Sequence, residues 1–165
     1  GKGFEPGDAT TLWLIGGGVG AAPMLYAAQT FSRQAKIFSF LGFRTQTMAY
    51  ALDDFAACGA MQLCTDDGSA GTPGTVLDAM RARLLTDGER PGRIMACGPA
   101  PMLRAVQDFC REQKIPGQLS LEQRMGCGYG ACLTCACAVK KEDGSIGYDR
   151  VCADGPVFDA EEVVL

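Results

Sequence analysis

Residues 11–43 read TLWLIGGGVGAAPMLYAAQTFSRQAKIFSFLGF, and their order decides the fold. Residues 11–15 form a short apolar run that ends in Gly16-Gly17-Gly18-Val19-Gly20. A helical pattern follows to about residue 34, with Pro23 in its first turn, where no backbone donor is needed. Residues 36–41 are apolar again and read as a second strand. Strand, glycine turn, helix and strand make a βαβ unit, whose strands run parallel through a right-handed crossover.

The rhythm continues outward. Residues 47–58 read as a helix ended by Gly59, and 61–65 as a strand. A turn-rich stretch from Asp66 to Gly74 precedes a helix at about 75–85, a strand at 93–97, a helix at about 101–114 and a strand at 118–122. Five strands alternating with four helices imply an α/β fold, a five-stranded parallel sheet with helices on both faces.

Composition excludes several function classes. The net charge of −4 comes with no basic run, which argues against nucleic acid. No apolar stretch is long enough to cross a membrane. Histidine is absent, which removes His-based triads, His general bases, Cys2His2 zinc sites and Rieske clusters. Nine cysteines are an odd number on an α/β core, a poor disulfide framework. Cys58, Cys64, Cys97 and Cys110 are scattered and read as small buried residues. The other five crowd into residues 127–152.

That crowd has a defined spacing: Cys127-x4-Cys132-x2-Cys135, then sixteen residues, then Cys152. Plant-type ferredoxins hold a [2Fe–2S] cluster with this pattern. One loop wraps the cluster and supplies three thiolates; a returning segment supplies the fourth. Gly126, Gly128, Gly130 and Ala131 let the backbone curl and aim N–H groups at sulfur. Cys132-x2-Cys135 alone would also suit zinc, but Cys152 has no second clip partner. A redox switch of free thiols is a further reading. Cys137 could replace Cys152 as fourth ligand, but it lies too close to Cys135 to close the loop from the far side, so Cys152 is expected as the ligand and Cys137 as a small packed residue. Residues 136–140 and 146–151 read as a hairpin around Glu142-Asp143-Gly144. The segment 124–165 has few large apolar residues and is expected to need a metal or other staple.

The N-terminal half carries signals of a dinucleotide. Gly16, Gly17, Gly18 and Gly20 stand where a backbone approaches a pyrophosphate at a helix N-terminus. The fingerprint G-x-G-x-x-G would place glycine at Ala21, and no acid closes the second strand at Leu41-Gly42-Phe43-Arg44. A plain tight turn is the competing reading. Cys97-Gly98-Pro99 ends a parallel strand, where such sheets bind ligands; it also reads as a buried cysteine before a proline-capped helix. Asp66 and Asp67 either cap a turn or line a ribose pocket, where they would repel a 2′-phosphate and favour NAD over NADP.

Three stretches together carry a resemblance: Gly16 to Pro23, Cys97-Gly98-Pro99, and Ser120-Leu121-Glu122-Gln123-Arg124-Met125-Gly126-Cys127-Gly128. With Val151-Cys152-Ala153-Asp154-Gly155-Pro156-Val157-Phe158, they resemble the ferredoxin-reductase-like superfamily. Within it they are similar to electron-transfer subunits of type B, NAD-dependent dihydroorotate dehydrogenase. The resemblance implies a nicotinamide module over residues 11–123, a [2Fe–2S] cluster domain over 124–165, and a linker remnant over 1–10. It implies that Gly16 to Gly20, Asp66 and Asp67 meet NAD, and that Cys97 and Gly98 sit near the nicotinamide–flavin contact. It implies an FMN-containing dihydroorotate dehydrogenase catalytic subunit as partner in a heterotetramer. Electrons would run from FMN through the cluster to FAD and on to NAD, in pyrimidine biosynthesis.

The flavin-binding barrel of that family has no counterpart in these residues, so a fragment of a longer subunit is expected, not catalytically complete alone. A reductase subunit serving another flavin or iron–sulfur enzyme is an alternative. The lack of a signal pattern and the cluster chemistry lead to a cytoplasmic expectation. Tyr129, alone among small residues, is a candidate partner contact.

Overall fold

The computed structural model describes residues 1–165, the side chain of Asp87 excepted. In chain order the elements are β1 (Thr11–Gly17), α1 (Ala21–Phe31), β2 (Lys36–Phe43), α2 (Leu52–Cys58), β3 (Ala60–Thr65), β4 (Thr72–Pro73) and α3 (Val76–Asp87). They continue with β5 (Arg93–Cys97), α4 (Ala100–Gln113), β6 (Gly117–Ser120), β7 (Ala136–Lys140), β8 (Ile146–Arg150) and β9 (Val157–Asp159).

The main sheet has the order β4-β3-β2-β1-β5-β6-β9. All pairings are parallel except β6 with β9. The five strands expected from sequence are present, and two short ones extend the sheet at its edges. Side chains alternate across the strands and feed two cores. Leu12, Leu14, Leu41 and Met95 pack under α1 and α2. Trp13, Ile15, Phe38, Phe40 and Ile94 pack under α3 and α4. Trp13 meets Phe40 edge-on at 5.0 Å and stacks near Phe109 at 6.4 Å.

The helix expected over 47–58 is split. A 3-10 turn covers Gln46–Met48, Ala51 takes a left-handed φ of 57°, and α2 starts only at Leu52. The break turns Tyr50 back toward the glycine loop. Its hydroxyl donates to the carbonyls of Gly18 and Val19 at 3.2 and 3.1 Å.

The C-terminal segment forms the expected hairpin, β7 with β8 antiparallel. Its staple is the main core rather than a metal alone. Cys135, Cys137, Val139, Val151 and Phe158 join the cluster that holds Trp13 and Phe109. Buried Gln107 of α4 donates to the carbonyls of Ala160 and Val163, both at 2.7 Å. Among the described residues no helix is long and apolar enough to cross a membrane.

Candidate iron–sulfur and dinucleotide sites

The sheet reverses its winding between β1 and β5, and ligands of such sheets bind at that switch point beyond the strand carboxyl ends. The glycine loop follows β1 and Cys97-Gly98-Pro99 follows β5, so the fold brings them side by side. A cleft of about 560 Å³ opens there. Gly17, Gly18 and Asp66 line it, with Arg44, Tyr50 and Met102. Gly74, Thr75 and Val76 at the start of α3 and Pro99 and Pro101 at the start of α4 also line it. With the α1 loop, three helix N-termini face one space, where backbone donors and helix dipoles favour an anion.

The other residues singled out from sequence are placed differently. Gly16 and Gly20 are packing positions against Ala21 and against the Cys97–Gly98 backbone. Asp67 is spent on its own turn: its carboxylate accepts from the Ser69 amide at 3.0 Å and hydroxyl at 2.6 Å. Those bonds hold it below the usual carboxylate range. Asp66 is left free to line the cleft. Cys97 is half-buried, and burial pushes its thiol up. Gly98 lines a second cleft of about 570 Å³, shared with Leu121, Glu122, Arg124 and Cys137. Arg44 and Tyr50, on the connection between β2 and α2, and Met102, in the first turn of α4, also face the cleft, and no short motif marks them.

The cysteine loop is exposed and tightly curled. Gly128, Gly130 and Leu133 take positive φ of 76°, 93° and 60°. The amide of Ala131 donates to Cys127 Sγ at 3.3 Å, that of Cys127 to Cys132 Sγ at 3.4 Å, and that of Cys152 to Cys135 Sγ at 3.5 Å. The amide–sulfur contacts bring Cys127 together with Cys132, and Cys152 together with Cys135. Among the described residues no three ligating side chains converge on one point as a single metal ion requires. The four thiols stand as two pairs, the division that a binuclear cluster with two thiolates per iron needs. The donor set therefore fits a [2Fe–2S] group. Cys137 faces the core, 7% exposed, and its Sγ donates to the Asp149 carbonyl at 3.4 Å. All nine cysteines are free thiols.

The loop amides have a measurable consequence. The backbone N–H of Tyr129, followed by that of Cys132, lowers the Cys127 thiol to about 6. Burial pushes Cys64 up to about 11 and Cys110 up to about 12. A lowered value means that the thiolate forms as pH rises through it and is lost below it. In the cluster-free chain, iodoacetamide is expected to label Cys127 first at neutral pH, ahead of Cys64 and Cys110. Pulsed alkylation with peptide mass spectrometry, over a pH series spanning about 6, checks this order.

Comparison with known proteins agrees with this geometry. The oxidoreductase NAD-binding domain family matches residues 14–108, and the iron–sulfur cluster binding domain of dihydroorotate dehydrogenase B matches residues 122–164. The chain is 45% identical over its whole length to the dihydroorotate dehydrogenase B (NAD(+)) electron transfer subunit of Geobacillus kaustophilus (strain HTA426), and spans 63% of that protein. It is 42% identical over its whole length to the same subunit of Caldanaerobacter subterraneus subsp. tengcongensis, and spans 64% of it. Among solved structures, the NADH-dependent reduced ferredoxin-NADP oxidoreductase superimposes with a TM-score of 0.79 at 34% identity, over 93% of this chain and 54% of that one. A ferredoxin reductase of carbazole 1,9a-dioxygenase shares the fold, with a TM-score of 0.58 at 23% identity over 68% of this chain and 36% of that one. The chain belongs to the oxidoreductase NAD-binding family, in the form that carries the iron–sulfur cluster binding domain of dihydroorotate dehydrogenase B.

Proposed function

We propose that this chain is the nicotinamide and cluster portion of an electron-transfer subunit that serves dihydroorotate oxidation. The observation that carries the reading is three thiols in a glycine-lined loop met by a fourth on the segment returning after β8, in a chain that also opens a parallel-sheet cleft. Cys127 and Cys132 would hold one iron, and Cys135 and Cys152 the other. Gly17, Gly18 and the start of α3 would receive the pyrophosphate of NAD, and Asp66 would face its ribose. Cys97 and Gly98 would meet the nicotinamide where FAD approaches. The cluster supplies one-electron transfer, and the flavin and nicotinamide supply hydride chemistry.

The chain's own residues prepare that chemistry. Loop amides direct N–H groups at sulfur and stabilise thiolate. The cysteine loop lies at the surface, with Tyr129 77% and Leu133 63% exposed beside it. An electron partner can therefore come close, and an FMN-containing catalytic subunit is the partner proposed. We divide the chain for this purpose at about residue 123, with the linker before residue 11. Nine free thiols suit a reducing compartment, and we place the protein in the cytoplasm.

The test is made on anaerobically reconstituted protein. About two irons and two sulfides per chain, visible bands and a reduced-state EPR signal are expected of the [2Fe–2S] state. With a flavin-binding segment and the FMN subunit supplied, dihydroorotate and NAD are expected to give NADH. Folded, iron-free and colourless protein would sink the reading. A second partner has support in the likeness to an NADH-dependent ferredoxin-NADP oxidoreductase. Electrons passed to ferredoxin, with none accepted from the dihydroorotate subunit, would favour it.

A further inference from the structure

Arg150 ends β8, two residues ahead of Cys152. Its Nε and Nη2 donate to Asp154 Oδ2 and Oδ1 at 2.7 and 2.9 Å. Its Nη1 donates to the Gly130 carbonyl at 2.9 Å, twenty residues back in the chain. Its backbone amide also donates to Asp154 Oδ2 at 2.9 Å, and its carbonyl accepts the amides of Ala153, Asp154 and Gly155. One residue thus organises the turn that carries Cys152 and grips the loop between Cys127 and Cys132. The grip is close: a Cβ on Gly130 would stand 3.0 Å from Ala153 Cβ and 3.1 Å from Arg150 Nη1.

We propose that Arg150 is the positioning residue of the cluster cradle. Its planar fork fixes the Cys127–Cys132 loop against the Cys152 segment, so that the two thiolate pairs are spaced before a cluster arrives. The inference rests on the cluster reading above. A guanidinium can serve two acceptors in different directions at once, and an ammonium on a flexible stem cannot reproduce that geometry. General stability does not account for the arrangement: the Arg150 and Asp154 side chains are 38% and 32% exposed, and such pairs contribute little. What the contacts do is join two segments that each carry ligands.

The pair also places charge beside the cluster. Reduction adds an electron, so a nearby positive charge favours the reduced state and a negative one opposes it. Arg150→Met leaves Asp154 unbalanced, and the midpoint potential is expected to fall. Asp154→Asn leaves Arg150 unbalanced, and the potential is expected to rise.

The test uses the full chain, reconstituted without air, with wild type, R150M, R150K and D154N side by side. Iron and sulfide content and the rate of bleaching in air are followed, together with midpoint potential by dye-mediated titration. R150M is expected to lose its cluster about tenfold faster, the scale on which outer-shell partners act on metal sites. R150K, which can keep one hydrogen bond and the charge, is expected to fall between R150M and wild type. Circular dichroism checks folding, and R150K and D154N carry the test if R150M does not fold. Wild-type bleaching rates and unshifted potentials in the folded variants would overturn the proposal. A wild-type chain that takes up no iron would instead overturn the cluster reading.

Discussion

Cys152→Ala is expected to leave the reconstituted chain colourless, with iron content down about tenfold or more, while Cys137→Ala stays red-brown. Sequence spacing favours Cys152 over Cys137 as the fourth ligand. The structure separates them by direction. Cys152 returns on the turn after β8, half-exposed, and its amide donates to Cys135 Sγ at 3.5 Å. Cys137 sits on β7 with its thiol in the core, turned to the Asp149 carbonyl.

Cys137→Ala therefore removes a small packed group and a weak hydrogen bond, a loss of about 1 kcal/mol that a melting curve resolves. Cys152→Ala removes half of the thiolates available to one iron. Visible absorption and iron assay on the two variants decide the matter. Colour kept by Cys152→Ala and lost by Cys137→Ala would reverse the assignment.

The sequence made the central strands plain because parallel strands covered on both faces are nearly continuous apolar runs, as in residues 11–15 and 36–41. The cysteine loop was equally plain, since ligand spacing is a local property. What escaped depends on tertiary pairing. Thr72–Pro73 and Val157–Asp159 are strands of two and three residues, made by their neighbours rather than by any pattern of their own. The break at Ala51 has no marker, because alanine favours helix and the left-handed turn serves the reach of Tyr50. The cleft was legible at its glycines and at Asp66 but not at Arg44 and Tyr50, from the β2–α2 connection, or at Met102, from the start of α4, which only the fold brings together. Asp67 shows the limit of reading acids by type: a serine two residues on claims it.

Gly20→Ala is expected to damage folding and, by displacing the Cys97–Gly98 loop, nucleotide binding, whereas Gly18→Ala strains its own turn and weakens binding at the proposed pyrophosphate contact. A Cβ at residue 20 would lie 2.2 Å from the Cys97 carbonyl oxygen, 2.4 Å from its carbon and 2.7 Å from the Gly98 nitrogen. All three are backbone atoms, so no side chain can swing aside. β1 and β5 are hydrogen-bonded neighbours just below, which stops the two loops from separating freely. Overpacking of this kind costs about 1–3 kcal/mol. The displaced Cys97–Gly98 loop is also the proposed nicotinamide contact, and a tenfold loss of NADH affinity corresponds to about 1.4 kcal/mol. At Gly18 nothing lies within 4 Å of an added Cβ, and the φ of +54° is the obstacle. An alanine there costs about 1–2 kcal/mol through backbone strain and leaves the Cys97 loop in place. Melting temperature and NADH titration on both variants separate the two effects. Gly20→Ala with wild-type melting and wild-type affinity would show that the approach of the two loops does not constrain this position.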